Sequence, residues 1–149
     1  MVHAVAAQGV TTLILVALLI WISASDLAAL RIPNLANALL IVSGIALAAI
    51  CAQGFPTPNV IGAVAGYAVF AIVGEAYFRR TGVDGLGLGD AKLLAGIGAW
   101  LGWASLPSVV AVSALSALVY AVTLKRRKLA FGPWLCASFL LHWIIQIGL

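Results

Sequence analysis

The placement of charge constrains this chain more than any other feature. All eight Lys and Arg fall in three places: Arg31; Arg79, Arg80 and Lys92; and the run Lys125, Arg126, Arg127, Lys128. The four acids, Asp26, Glu75, Asp84 and Asp90, lie in or beside the first two of these places. What separates them is almost wholly apolar. A helix needs about 20 apolar residues to cross a bilayer. Six stretches fit, near residues 4–24, 35–52, 59–78, 88–105, 107–124 and 130–148, of which the fourth is short and glycine-rich. The expected fold class is all-α: a polytopic membrane protein, a bundle of about six transmembrane helices, with residues 1–149 forming one domain.

Only 8% of residues are charged, against about 25% in soluble domains, so water is not the main solvent. With six spans, every Lys and Arg falls at an odd-numbered connection, and all odd connections share one side. The positive-inside rule makes that side the cytoplasm, so both termini face out. Losing one span would scatter the charges over both sides. The net charge of +4 therefore reflects topology, and nucleic acid is not an expected partner. The KRRK run reads as a topology signal and a contact for anionic membrane lipids. The first span lacks Lys or Arg ahead of it and is long, so a retained helix is expected, not a cleaved signal peptide.

Several features read as structural. Cys51 and Cys136 fall near opposite faces, which argues against a disulfide, and no Cys or His spacing supports a zinc site. His3 and His142 fall toward the outer side as interfacial or packing residues. Gly62 with Gly66, and Gly98 with Gly102, have the spacing that lets helix backbones approach closely. Pro33 and Asn34 should start the second helix, with Asn as a good N-cap, and Pro133 suits the first turn of the sixth. Glu75 stands four residues before Arg79, the spacing of a helical ion pair.

Two acids fit less easily. Asp26 ends the first span in ISASDLAALRIPN, and Asp90 begins the fourth in GLGLGDAKLL. Both are expected at the cytoplasmic membrane face. A carboxylate at membrane depth is expensive and marks function by default. Two facing carboxylates share a proton and titrate as a unit. That suits peptide hydrolysis, with one aspartate as general base on water and the other donating to the carbonyl oxygen. No metal or cofactor is required. The glycines at 85, 87 and 89 remove bulk, so that backbone can lie against an extended substrate strand. Irregular backbone at that depth is tolerated where it lines a cavity.

Other readings of the same residues stand beside this one. Asp90 could be a helix cap or first-turn acid, and Asp26 an interfacial residue paired with Arg31. A small proton-coupled transporter or channel component would also use buried acids, but near the midplane and often in repeated halves. A purely structural subunit would leave GLGLGD without a purpose.

At these residues the sequence resembles the bacterial type IV prepilin peptidases, relatives of the G-x-G-D aspartyl proteases that include archaeal preflagellin peptidases and presenilin. Three stretches carry the resemblance: DLAALRIPN from Asp26, GLGLGDAKLLAGIGAWLGW from Gly85, and FGPWL from Phe131. It implies that Asp26 and Asp90 are catalytic. Gly87 and Gly89 match the motif glycines, and Lys92 a motif lysine, whose place at i,i+2 from Asp90 makes it a lipid-facing anchor or else a field-tuning charge. Pro33 and Asn34 are expected at the substrate approach, and Asp84 in the loop. The resemblance implies a prepilin or pseudopilin substrate with a short basic leader, cut at the cytoplasmic face of the bacterial inner membrane. It leaves the oligomeric state open. Longer family members carry a cytoplasmic insert with a cysteine quartet and also N-methylate the new terminus. Here the first two spans are joined only around Leu27 to Asn34, with no quartet, so the chain resembles the compact peptidases of tight-adherence (Flp-type) pilus systems. A bifunctional peptidase and methyltransferase is the runner-up within the enzyme class.

Overall fold

The computed structural model describes the backbone of residues 2–82, 87–125 and 129–148, with side chains from residue 9 onward. Asp84, Gly85, residues 126–128 of the basic run and the side chain of His3 lie outside the described residues. Six α-helices account for nearly all of the rest: α1 (Val2–Ala29), α2 (Asn34–Ala52), α3 (Thr57–Thr81), α4 (Leu88–Leu101), α5 (Leu106–Thr123) and α6 (Gly132–Gly148). A short 3₁₀ turn, Trp103–Ser105, precedes α5. This is the all-helical, multi-pass architecture that the apolar spans predict. Among the described residues, four stretches are long and apolar enough to cross a membrane: Gly9–Ala29, Asn34–Ala52, Thr57–Thr81 and Trp103–Thr123. Their outward faces carry large exposed apolar side chains, among them Leu13, Val42, Ile72 and Val122. Lipid, not water, is the solvent such a surface fits.

The fourth expected span differs from the expectation. α4 has 14 residues, about 21 Å at roughly 1.5 Å per residue, short of a hydrocarbon core about 30 Å thick. It ends at Leu101, not near 105, because Gly102 adopts φ 80°. A helix that is apolar all round belongs inside, and every residue from Leu93 to Leu101 is buried. α4 is therefore the central post of the bundle, packed mainly against α3 and α2. Its contact with α3 is backbone on backbone. A Cβ added at Gly62 would lie 2.5 Å from the Gly98 carbonyl oxygen, and one at Gly66 would lie 2.6 Å from that of Leu94. Gly62 thus faces Gly98 and Gly102 across the interface, and Gly66 lies against the backbone of Leu94 and Ala95.

Side chains fasten the rest of the post. Asn59 at the start of α3 donates to the carbonyls of Ala99 (2.9 Å) and Trp100 (3.2 Å), capping the end of α4. The Trp100 indole donates to the Leu40 carbonyl of α2 at 2.8 Å, and packs edge-on to Trp143 of α6 with ring centres 5.1 Å apart. Gly44 leaves the room that ring needs, since a Cβ there would collide with it. His142 bridges α6 to Ser108 of α5 at 3.0 Å, a packing role. Glu75 and Arg79 form the expected pair at 2.7 Å, both well exposed. Both cysteines are free thiols.

Helix boundaries move the candidate residues. α1 runs on to Ala29, so Asp26 lies inside its last turn and does not end the span near 24. At α2, Pro33 takes the N-cap position with extended backbone, and Asn34 is already helical and makes no cap bond. Proline's fixed φ and missing N–H suit that boundary. The sixth helix starts at Gly132, with Pro133 in its first turn as expected.

Candidate active site

Three elements open onto one cleft at the end of the bundle where α1 finishes and α2 and α4 begin. It has a volume of about 340 Å³, and Asp26, Arg31, Asn34, Gly87, Asp90 and Lys92 line it. Asp26 and Asp90, 64 positions apart in the chain, thus share one cavity.

Asp26 is placed by helical register. Leu15, Leu19 and Ile22 form the buried stripe of α1, and Asp26 continues it at the next step, 6% exposed. A carboxylate on a core stripe needs a donor. It receives one from the backbone N–H of Gly132, 2.9 Å from Oδ2. That N–H opens α6, where helix N-termini leave donors unsatisfied and the dipole favours negative charge. The FGPWL segment therefore forms part of the site. Gly132 allows this approach because a Cβ there would lie 2.7 Å from Asp26 Oδ2.

Asp90 lies in the first turn of α4. Its backbone N–H donates to the Gly87 carbonyl at 3.0 Å, and its carboxylate lies beside Gly87, the residue at the N-cap, with Oδ2 3.7 Å from where a Cβ there would be. Each aspartate thus occupies a helix N-terminus, Asp26 that of α6 and Asp90 that of its own helix. The cap reading and the site reading describe the same geometry here.

The start of α2 is tied to both flanks of Asp90. Lys92 Nζ donates to Asn34 Oδ1 at 2.7 Å, and Asn37 Nδ2 donates to the Gly89 carbonyl at 3.3 Å. Two expectations are corrected by this. Lys92 is not a lipid-facing anchor: it lines the cleft and holds α2, because its long stem reaches around the roughly half turn between it and Asp90. Gly89 is not loop backbone free for a strand. It is helical, its carbonyl is engaged, and the space of its missing side chain faces Ile32, 3.4 Å from where a Cβ would be. Among the described glycines of the motif, Gly87 keeps extended backbone, with φ −72° and ψ 143°.

Residues 13–122 match the type IV leader peptidase family. The chain belongs to that family. Relatives named prepilin leader peptidase/N-methyltransferase include one from Pectobacterium carotovorum, 47% identical over 83 residues, covering 51% of this chain and 30% of that protein. One from Neisseria gonorrhoeae is 46% identical over 58% of this chain and 30% of its own length. One from Escherichia coli K12 is 42% identical over 56% and 40%. The chain therefore spans well under half the length of the curated relatives it matches. No solved structure matches it. The family match ends before Gly132, yet that residue supplies the donor to Asp26.

Sequence reasoning missed Asn37. Its signal was a second polar residue one turn after Asn34 in an otherwise apolar helix, NLANALL.

Proposed function

We propose that this chain is an intramembrane aspartyl endopeptidase that removes the leader of a type IV prepilin or pseudopilin. The observation that carries the reading is the shared cleft, in which Asp26 and Asp90 face one cavity from two different helices. One carboxylate takes a proton from water as its oxygen adds to the scissile carbonyl carbon. The other gives its proton to the carbonyl oxygen. Collapse of the resulting gem-diol breaks the C–N bond, and a proton passes to the leaving nitrogen. The step balances with water alone. Gly132 N–H holds the Asp26 carboxylate in place without consuming its acid–base function.

The charge map supports a cleft on the cytoplasmic side, since Arg31, Arg79 and Lys92 all lie at that end of the bundle. Methyl transfer is not part of this reading, as α1 and α2 are joined only by residues 30–33. The transporter alternative gains no support: the two acids lie at helix ends, not at mid-depth. The test is purified protein in liposomes with EDTA present, offered a prepilin, with the product's new terminus read by mass spectrometry. A single cut between a basic leader and an apolar helix is the expected result. An intact substrate across a panel of pilins and pseudopilins, with protein shown to be folded, would remove the reading.

Gly132→Ala probes the Asp26 anchor. The added methyl forces the carboxylate away from its donor. Displacing a reacting group by about 1 Å costs around 10²-fold, so kcat should fall by about that factor while the thermal midpoint changes little. Unaltered kcat would show that Asp26 needs no such placement.

A further inference from the structure

We infer that the groove between α2 and α3 receives the first turns of the substrate's apolar helix, oriented with its N-terminus toward the aspartates. The inference rests on the peptidase reading above and deepens it. α2 and α3 each pack on α4 but barely on one another. The gap leaves a groove of about 610 Å³. Asn37 and Ala38 of α2 form one wall, Ala63 and Val64 of α3 the other, and Ala95 of α4 the floor. Small residues there let another backbone approach closely. Ala38 and Val64 are exposed, so the groove opens sideways, toward lipid.

Three observations select the occupant. First, the groove adjoins the catalytic cleft, with the hydrogen-bonded pair Asn34 and Lys92 lining both. A chain lying in it therefore runs into the cavity of Asp26 and Asp90. Second, the groove is lined mainly by apolar side chains such as Ala38, Ile41, Ala63 and Val64, with Asn34 and Lys92 where it meets the cleft. That fits a segment that is apolar up to the cut and hydrated beyond it. Third, Asn37 is 1% exposed, and its Oδ1 is buried without a hydrogen-bond partner, while Nδ2 is committed to Gly89. An unmade buried acceptor costs about 1–3 kcal/mol. A helix N-terminus presents four unpaired backbone N–H donors, so an occupant entering N-terminus first brings the missing donor. A lipid chain brings none.

The test places p-benzoylphenylalanine at Ala38 or Val64 in an Asp90→Asn protein, which retains uncut substrate, and at Leu118 as an exposed control on α5. Irradiation in liposomes with a prepilin is followed by mapping of the adducts, and wild type is assayed for cleavage in parallel. Adducts from positions 38 and 64 to the first two turns after the cut, absent from position 118, are the expected result. Adducts to lipid only, to a second copy of this chain only, or equally from position 118 would overturn the groove. If wild type cleaves while those adducts are missing, the groove falls and the peptidase reading stands. If the adducts form and wild type does not cleave, the reverse holds. Ala38→Trp gives an independent readout: filling the groove from an exposed position should raise KM about tenfold with kcat within about twofold. An unchanged kcat/KM would also overturn the groove.

Discussion

Asp26→Asn and Asp90→Asn are each expected to abolish leader cleavage while leaving the bundle folded. A positioned proton-transfer group contributes about 10²–10⁴-fold, and here both groups are required for one step. Residues that act as a unit are not additive, so the double variant should be no slower than either single one. Asparagine is the informative substitution for a geometric reason. Its Oδ1 can still accept from Gly132 N–H at position 26, and at position 90 it keeps the size and polarity of a first-turn residue beside the Gly87 N-cap. Capping survives and proton exchange does not. A purely structural role for the two acids therefore predicts active Asn variants, and a catalytic one predicts inactive variants with wild-type thermal midpoints. The readout is the cleaved fraction of a prepilin in liposomes with EDTA, beside a detergent melting curve for each protein. Near-normal cleavage by both variants would make the aspartates caps.

The second large effect concerns stability. Gly98→Val should destabilise the protein by at least about 3 kcal/mol, at or beyond the top of the usual range for overpacking. A Cβ at Gly98 collides with the backbone carbonyl of Gly62. Two helix backbones have no rotamer to change, so α3 and α4 must separate, and α4 is the post on which the bundle is built. Gly9→Ala is the matched control, because nothing lies within 4 Å of a Cβ there. Glycine is a poor helix former, so that change should be neutral or stabilising by up to about 1 kcal/mol. Thermal unfolding in detergent measures both. A Gly98→Val protein that melts like wild type would show that the α3–α4 contact is looser than the structure has it.

Much of this protein was legible in its sequence because lipid imposes simple rules. Apolar runs gave the helices, and glycine spacing gave the closest helix contact. The carboxylates stood out because a charge in such surroundings needs a reason. The place of Asp26 on the buried stripe of Leu15, Leu19 and Ile22 was not legible, because α1 is apolar all round and packing alone chose its inner face. Boundaries were less legible. Whether Asn34 caps α2 depends on what its side chain finds, and it finds Lys92, 58 positions away.

Tertiary structure alone decided the rest. Spacing in the chain carries no information on which helix N-terminus points at which carboxylate, so Gly132 as the donor to Asp26 could not be read from FGPWL. The inward placement of α4 depended on three-dimensional neighbours: a short apolar helix with glycines on one side suits a thin membrane span or a central post equally well. Asn37 with its unpaired oxygen, and the groove shared by α2 and α3, exist only because α4 holds those two helices apart. The sequence determined which residues must avoid lipid, through hydrophobicity and charge, which are local properties. Which of them meet was decided by packing, which is not.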